Sequence, residues 1–160
     1  MDPLGEELNR LLVQTYHSVG RIEESMLYRL SAGRLGLTEM HAMSRIGPYI
    51  GGESTISELS REMDITPPSV TVMIQRLEKK GYVVKQRSAR DGRQVRVRLT
   101  EEGRKAVIAY RWYSRKVVNA VRSNIEPEDF AVMLRSFRRV NEYFMREADV
   151  LEGGAPGGEE

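Results

Sequence analysis

The chain has 160 residues, 40% of them hydrophobic and 30% charged, a balance that closes a core and argues against a largely disordered polymer. It has no cysteine, which excludes disulfides, thiolate metal sites and cysteine nucleophiles, and no apolar run approaching about 18 residues, so no membrane-spanning helix is expected. The net charge is only +2, but residues 76–98 hold nine basic and two acidic side chains, so that segment carries +7 and the remainder −5. A local excess of this kind suits a polyanionic partner, although a solvated basic face would give the same count.

Residues 4–30 place Leu4, Leu8, Leu11, Leu12, Tyr16, Val19, Ile22, Met26, Leu27 and Leu30 at alternating threes and fours, the spacing of one long amphipathic helix ended by Ser31-Ala32-Gly33. The acidic start lacks a basic segment followed by an apolar one, so no secretory signal is expected and the cytoplasm is the expected location. A second helix is expected to start with Thr38 as N-cap and to stop near Gly47-Pro48 or Gly51-Gly52, with residues 51–54 read as a turn. Thr55 and Glu58 have the spacing of a capping box and open a short helix that buries Ile56, Leu59 and Met63.

Thr66 then serves as an N-cap and Pro67 as a first helical residue for a helix running to Lys80 and stopped by Gly81. Val70, Met73, Ile74 and Leu77 make its inner stripe, leaving Ser69, Thr71, Val72, Gln75, Arg76 and Lys79 outward. Residues 82–87 and 94–99 read as two strands, the second alternating apolar and basic, with Asp91-Gly92 as a hairpin turn between them. Thr100 caps a long helix reaching about Ser123, and Glu126-Pro127-Glu128 restarts the chain into a last helix carrying Phe130, Met133, Leu134, Phe137, Val140 and Phe144.

A short helix, a tight turn and a helix with a small, polar outer face make a helix-turn-helix. The major groove of B-DNA, about 12 Å wide, admits one helix whose first turn must carry small side chains. Pro68, Ser69 and Thr71 meet that demand. Val72 can touch a thymine methyl, Gln75 can pair with adenine, and Arg76 can reach guanine or phosphate. Each of these residues would equally suit an ordinary solvent-facing position. The basic hairpin downstream adds weight, because a loop bearing Arg90 and Arg93 can enter the narrow, electronegative minor groove, with Asp91 shaping the turn rather than touching DNA.

Residues 56–60 (ISELS), 66–83 (TPPSVTVMIQRLEKKGYV), 91–93 (DGR) and 97–103 (VRLTEEG) resemble the multiple-antibiotic-resistance regulator (MarR) family. The resemblance covers about 50 residues. It implies a mainly α fold with a small β-hairpin wing, in which a winged helix-turn-helix core is flanked by long N- and C-terminal dimerisation helices. It also implies an Arg93 that reaches the minor groove. Val72 stands where many members carry a basic residue, so base preference there does not transfer. Residues 22–24 (IEE), 39–41 (EMH), 46–47 (IG) and 131–133 (AVM) are similar to the streptococcal fatty-acid-synthesis repressor branch, in which acyl chains on acyl carrier protein promote operator binding.

The domains expected are an N-terminal dimerisation helix (1–33), the DNA-binding domain (34–102), C-terminal dimerisation helices (103–148) and a disordered tail (149–160). Aromatic residues on the terminal helices exceed what a small winged core can cover, which favours a homodimer over a monomeric bundle. The expected partner is double-stranded DNA, with a repressor binding a palindromic operator as the first reading. An effector, either a small molecule or an acyl carrier protein, is expected at an apolar pocket lined by Met26, Met40 and Met43, although plain core is the alternative for these methionines. A non-specific architectural DNA-binding protein, a metal-responsive regulator and a protein-interaction module on the same fold are the other readings. His17 and His41 are the only histidines, too few for a usual zinc site, so no metal and no cofactor are expected. None of the common nucleophile, phosphate-loop, dinucleotide or zinc-protease motifs occurs, so no enzyme is expected.

Overall fold

A computed structural model describes residues 2–47, 52–87 and 95–153. The chain divides into two compact units, Met1–Ser114 and Arg115–Glu160. The elements, in order, are α1 (Pro3–Ser31), α2 (Leu37–Ile46), β1 (Glu53–Thr55), α3 (Ile56–Met63), α4 (Pro67–Lys79), β2 (Val83–Arg87), β3 (Val95–Leu99), α5 (Glu101–Ser123) and α6 (Pro127–Gly153). The mainly α fold with a small antiparallel wing matches the expectation from the sequence. Arg90, Asp91 and Arg93, with the Asp91-Gly92 turn, lie outside the described residues.

The first unit is built around one apolar cluster. Met40, Met43 and Ile46 of α2, Leu59 of α3, Val70, Met73, Ile74 and Leu77 of α4, Val83, Val97 and Leu99 of the sheet and Val107 of α5 are all buried in it. Of α1, only the C-terminal end joins, through Met26 and Leu27. Its exit is locked by Ser31, whose buried hydroxyl donates to the Leu27 carbonyl (2.8 Å) and accepts from the Leu35 amide (3.1 Å). Ala32 and Gly33 then turn the chain through positive φ.

Three local outcomes depart from the sequence reading. Gly36, not Thr38, precedes the first residue of α2, because the Glu39 carboxylate reaches back to accept from the Gly36 amide at 3.0 Å and satisfies a donor at that end. Residues 53–55 form a strand rather than a turn: Glu53 pairs with Arg98, Ser54 with Val97 and Thr55 with Arg96, making the sheet order β1-β3-β2. At the far end, residues 149–153 extend α6 where a disordered tail was expected, since nothing between Ala148 and the Gly153-Gly154 pair breaks a helix.

The strand-to-helix junction after the wing is unusually tight. Thr100 donates its hydroxyl to the Gly81 carbonyl (2.7 Å), accepts from the Gly103 amide (3.1 Å), and gives its own amide to the Tyr82 carbonyl (3.0 Å). Gly103 packs directly on the residue that precedes β2: a Cβ there would stand 2.1 Å from the Tyr82 carbonyl oxygen, a backbone atom that cannot swing away. The glycine is thus fixed by close approach rather than by its dihedral angles. Gly103→Ala is expected to cost about 1–3 kcal/mol, as overpacking of a fixed site does, read as a lowered denaturant midpoint. Val118→Ala on the exposed side of the same helix should leave that midpoint within experimental scatter.

In the second unit, the end of α5 turns into α6 through Asn124 and Ile125, whose amides donate to the Val121 and Arg122 carbonyls. Phe130 lies under the Arg122 guanidinium, 6.0 Å from ring centroid to charge centre. No described side chain of α6 is fully buried, and Leu134, Phe137, Tyr143 and Phe144 stand exposed.

Candidate nucleic-acid interface

The candidate interface begins at the α3–α4 turn. Thr55 and Glu58 close the capping box that opens α3: the Thr55 hydroxyl accepts from the Glu58 amide (3.1 Å), and the Glu58 carboxylate accepts from the Thr55 amide (2.7 Å). The helix ends at Asp64 in left-handed conformation (φ 54°), its amide bonded to the Ser60 carbonyl. The Ser60 hydroxyl clamps the turn from below by donating to the Ile65 carbonyl at 2.5 Å. Leu59 then packs in the same core as Val70 and Ile74, so α3 holds α4 by an apolar contact on one side only.

With Val70, Met73, Ile74 and Leu77 buried, the helix periodicity leaves Pro68, Ser69, Thr71, Val72, Gln75, Arg76 and Lys79 exposed on the opposite face. Thr66 precedes the helix as expected but makes no side-chain cap; its hydroxyl instead pairs with that of Ser69 at 2.9 Å. One hydroxyl of that pair keeps a proton for an outside acceptor, since a single proton serves their mutual bond. Thr71 is already committed, donating to the Pro67 carbonyl at 2.9 Å, so its outward contribution is its methyl group and its small size. The first turn of α4 is therefore low in profile, with the long side chains Gln75, Arg76 and Lys79 further along.

The basic segment resolves into two populations that its charge count could not separate. Lys80 is paired with Glu39 (2.6 Å), Lys85 with Glu78 (2.7 Å) and Arg96 with Glu53 (2.6 Å). Arg98 donates to Gln86 across the β2–β3 pair. Arg76 and Lys79 form no ion pair among the described residues. The Glu78 carboxyl is held below its ordinary value by the hydrogen bond from Lys85, and that of Glu58 by the backbone and side-chain hydrogen bonds from Thr55.

Two clefts line α1. One, of about 430 Å³, is bounded by Ser18, Arg21, Ile22, Ser25, Met26, Arg29 and Tyr113; the other, of about 520 Å³, runs from Tyr16 and His17 to Glu24 and Leu37. Of the three methionines expected to line an effector pocket, Met26 borders the first cleft, whereas Met40 and Met43 are wholly enclosed in the core and line neither. His41 approaches the Tyr110 hydroxyl (3.3 Å), which donates to Glu23 (3.0 Å); burial and the neighbouring Glu23 push the Tyr110 phenol up to about 12, so it stays protonated. Among the described residues, no group of three or more histidines or carboxylates could hold a metal ion.

A helix presenting a small-featured, partly basic face from a helix-turn-helix, followed by an antiparallel wing, defines a winged helix-turn-helix DNA-binding protein. Residues 40–94 match the MarR family model. Streptococcus pneumoniae FabT in complex with DNA superposes with a TM-score of 0.81 at 27% identity, covering 88% of this chain and 97% of that one. A MarR family protein from Bacillus stearothermophilus (TM-score 0.71, 20% identity, 91% and 99% covered) shares the fold. So does a mutant of Staphylococcus aureus MepR bound to an oligodeoxyribonucleotide (0.60, 18%, 86% and 97%). No curated protein sequence matches the chain. Over residues 40–94 the chain is similar to the MarR family of transcription regulators, and it shares the fold of these solved structures over most of its length. No helix among the described residues is long and apolar enough to cross a membrane.

The capping box gives a pH test. Because the folded Glu58 carboxyl is depressed below its ordinary value of 4.5, its contribution to stability is complete above that value and is lost as pH falls through the lower, folded one. Glu58→Gln should therefore be less stable than the parent at neutral pH, and the gap should close in chemical denaturation series taken progressively below pH 4.5.

Proposed function

We propose that this regulator binds a palindromic operator as a homodimer, with α4 in the major groove and the wing beside it, and acts as a repressor of fatty-acid-synthesis genes. The observation that carries the DNA contact is the division of α4 into a buried stripe and an exposed face of Pro68, Ser69, Thr71, Val72, Gln75 and Arg76. Ser69 supplies a hydroxyl to phosphate, Gln75 and Arg76 reach base edges or phosphate, and Val72 gives an apolar contact. Arg90 and Arg93 are assigned to the minor groove on the sequence of the wing, with Asp91 shaping its turn. A varied face of this type favours sequence reading over architectural binding, which would crowd α4 with lysine and arginine.

The homodimer is supported by apolar side chains that neither unit covers. Leu4, Leu8, Leu11 and Tyr16 stand exposed along α1, as do Leu134, Phe137, Tyr143 and Phe144 along α6. Isolated surface leucines are ordinary, but rows of leucine and aromatic side chains on long helices are characteristic of buried interfaces. A two-fold partner would also set two copies of α4 about 34 Å apart, one turn of duplex. Phe137→Glu is expected to shift the protein toward monomer in sedimentation equilibrium and to weaken operator binding.

The fatty-acid assignment is supported by the likeness to the fatty-acid repressor FabT over nearly the whole chain. An acyl-type effector, carried on acyl carrier protein or free, is proposed at the cleft bordered by Met26. The function is tested by selecting bound fragments from sheared genomic DNA of the source organism, with and without long-chain acyl carrier protein. One enriched palindrome ahead of fatty-acid-synthesis genes, strengthened by the acyl partner, is the expected result. Palindromes elsewhere would remove the lipid assignment, and flat recovery in both arms would remove sequence-specific regulation.

Single variants read the contacts directly. Arg76→Ala and Arg93→Ala should each weaken operator binding, by roughly tenfold for a lost charged contact. Where the lost contact is to phosphate, the dependence of log K on log salt should become shallower by about 0.9. An unchanged affinity and slope in Arg93→Ala would exclude the wing from the interface.

A further inference from the structure

We infer that Glu39 and Lys80 are positioning residues for DNA reading: the carboxylate of α2 fixes the C-terminal end of the recognition helix, and Lys80 is withdrawn from the pool of side chains that contact phosphate. Lys80 lies in the most basic stretch of the sequence, directly after Lys79, and by charge alone it belongs to the DNA-facing set. Its geometry assigns it elsewhere. The ammonium group donates to both carboxylate oxygens of Glu39, at 2.6 and 2.7 Å. Glu39 is only 13% exposed along its side chain and also accepts from the Gly36 amide, so its own helix holds the carboxylate in place independently of Lys80.

The consequence is mechanical. The exit of α4 at Lys80 and Gly81 leads straight into β2. Apolar contacts through Val70, Met73, Ile74 and Leu77 set which face of the helix turns inward, but being non-directional they restrain sliding along the axis and tilt of the exit less. A charge-assisted, two-oxygen bond at the C-terminal end supplies the direction that the apolar face lacks. An ion pair whose ammonium end is open to solvent adds modestly to stability, so the role expected of this one is orientation rather than fold maintenance. Base reading depends on placing side chains such as Gln75 and Arg76 to within a fraction of an ångström, whereas non-specific binding to phosphates tolerates a small displacement.

The inference rests on α4 being the reading helix, and the test separates the two. Full-length Glu39→Gln and Lys80→Gln are titrated, alongside the parent, against the palindromic fragment most enriched in the genomic selection and against a random duplex of equal length, each over a series of salt concentrations. Glu39→Gln keeps an oxygen for the Gly36 amide, and Lys80→Gln leaves the start of α2 untouched, so thermal melts close to the parent's are expected for both. Each variant should lose about tenfold in affinity for the palindrome, with little change on the random duplex and no change in salt slope beyond that of the parent.

If Lys80 instead contacts phosphate in competition with Glu39, the two variants move in opposite directions. Glu39→Gln would then bind more tightly with a slope steeper by about 0.9, and Lys80→Gln more weakly with a slope shallower by the same amount. That pattern, or palindrome affinities equal to the parent's in both variants, overturns the inference while leaving α4 as the reading helix. A parent protein that fails to prefer the palindrome over the random duplex overturns the reading helix itself, and the inference with it.

Discussion

The burial of four side chains on one face of α4 is the constraint from which the rest of the interface follows. Val70, Met73, Ile74 and Leu77 repeat at the helical period and are enclosed in the core, so their helix has a single orientation about its axis. Once that orientation is set, the identity of the outward face is no longer a matter of choice: Pro68, Ser69, Thr71, Val72, Gln75 and Arg76 face solvent because no other face remains. The hydrophobic effect thus fixes which residues of α4 are presented to solvent. The stabilisation from burial is internal and its consequence is external, which is how a small domain presents a defined chemical surface.

Rotation about the axis is one degree of freedom, and the structure controls the others with polar contacts at the helix ends. The Ser60 hydroxyl and the left-handed Asp64 define where α4 begins. At the other end Glu39, Gly81 and the Thr100 bonds define where it stops and how the chain enters the sheet. Gly103 completes this junction by letting the first turn of α5 rest on the Tyr82 carbonyl, so the strand, the wing and the following helix are seated on one another without a side chain between them. The basic residues of the sheet participate in the same bracing. Lys85 and Arg96 spend their charge on Glu78 and Glu53, which leaves a smaller and more localised set of cations to face a polyanion than the count for residues 76–98 suggests.

Much of this was legible in the sequence because the signals are local. The capping box of α3, the Pro67 start and Gly81 stop of α4, its apolar stripe, and the alternation in β3 all lie within a few residues of the feature they specify. What was not legible is non-local. Residues 51–54 look like a turn because Gly-Gly-Glu-Ser has poor strand propensity; Glu53–Thr55 becomes a strand only because β3, some forty residues later, offers it an edge. The pairing of Lys80 with Glu39 is equally remote, and the sequence gives no sign that one lysine of an adjacent pair turns inward. The methionines show the same limit in another form, since Met26, Met40 and Met43 are chemically alike and only packing distinguishes the one that borders a cleft from the two that are enclosed.

A dimer of this chain is proposed to place two copies of α4 into successive major grooves on one side of a duplex. This placement is tested most directly by dimethyl sulfate protection, which reads guanine N7 in the major groove, on an end-labelled fragment recovered by the protein. Two protected segments are expected, related by a two-fold axis and separated by one helical turn, about 10 base pairs, with the intervening major-groove guanines on the far side still reactive. Protection confined to one segment, or no protected guanine while the fragment remains bound, would contradict it.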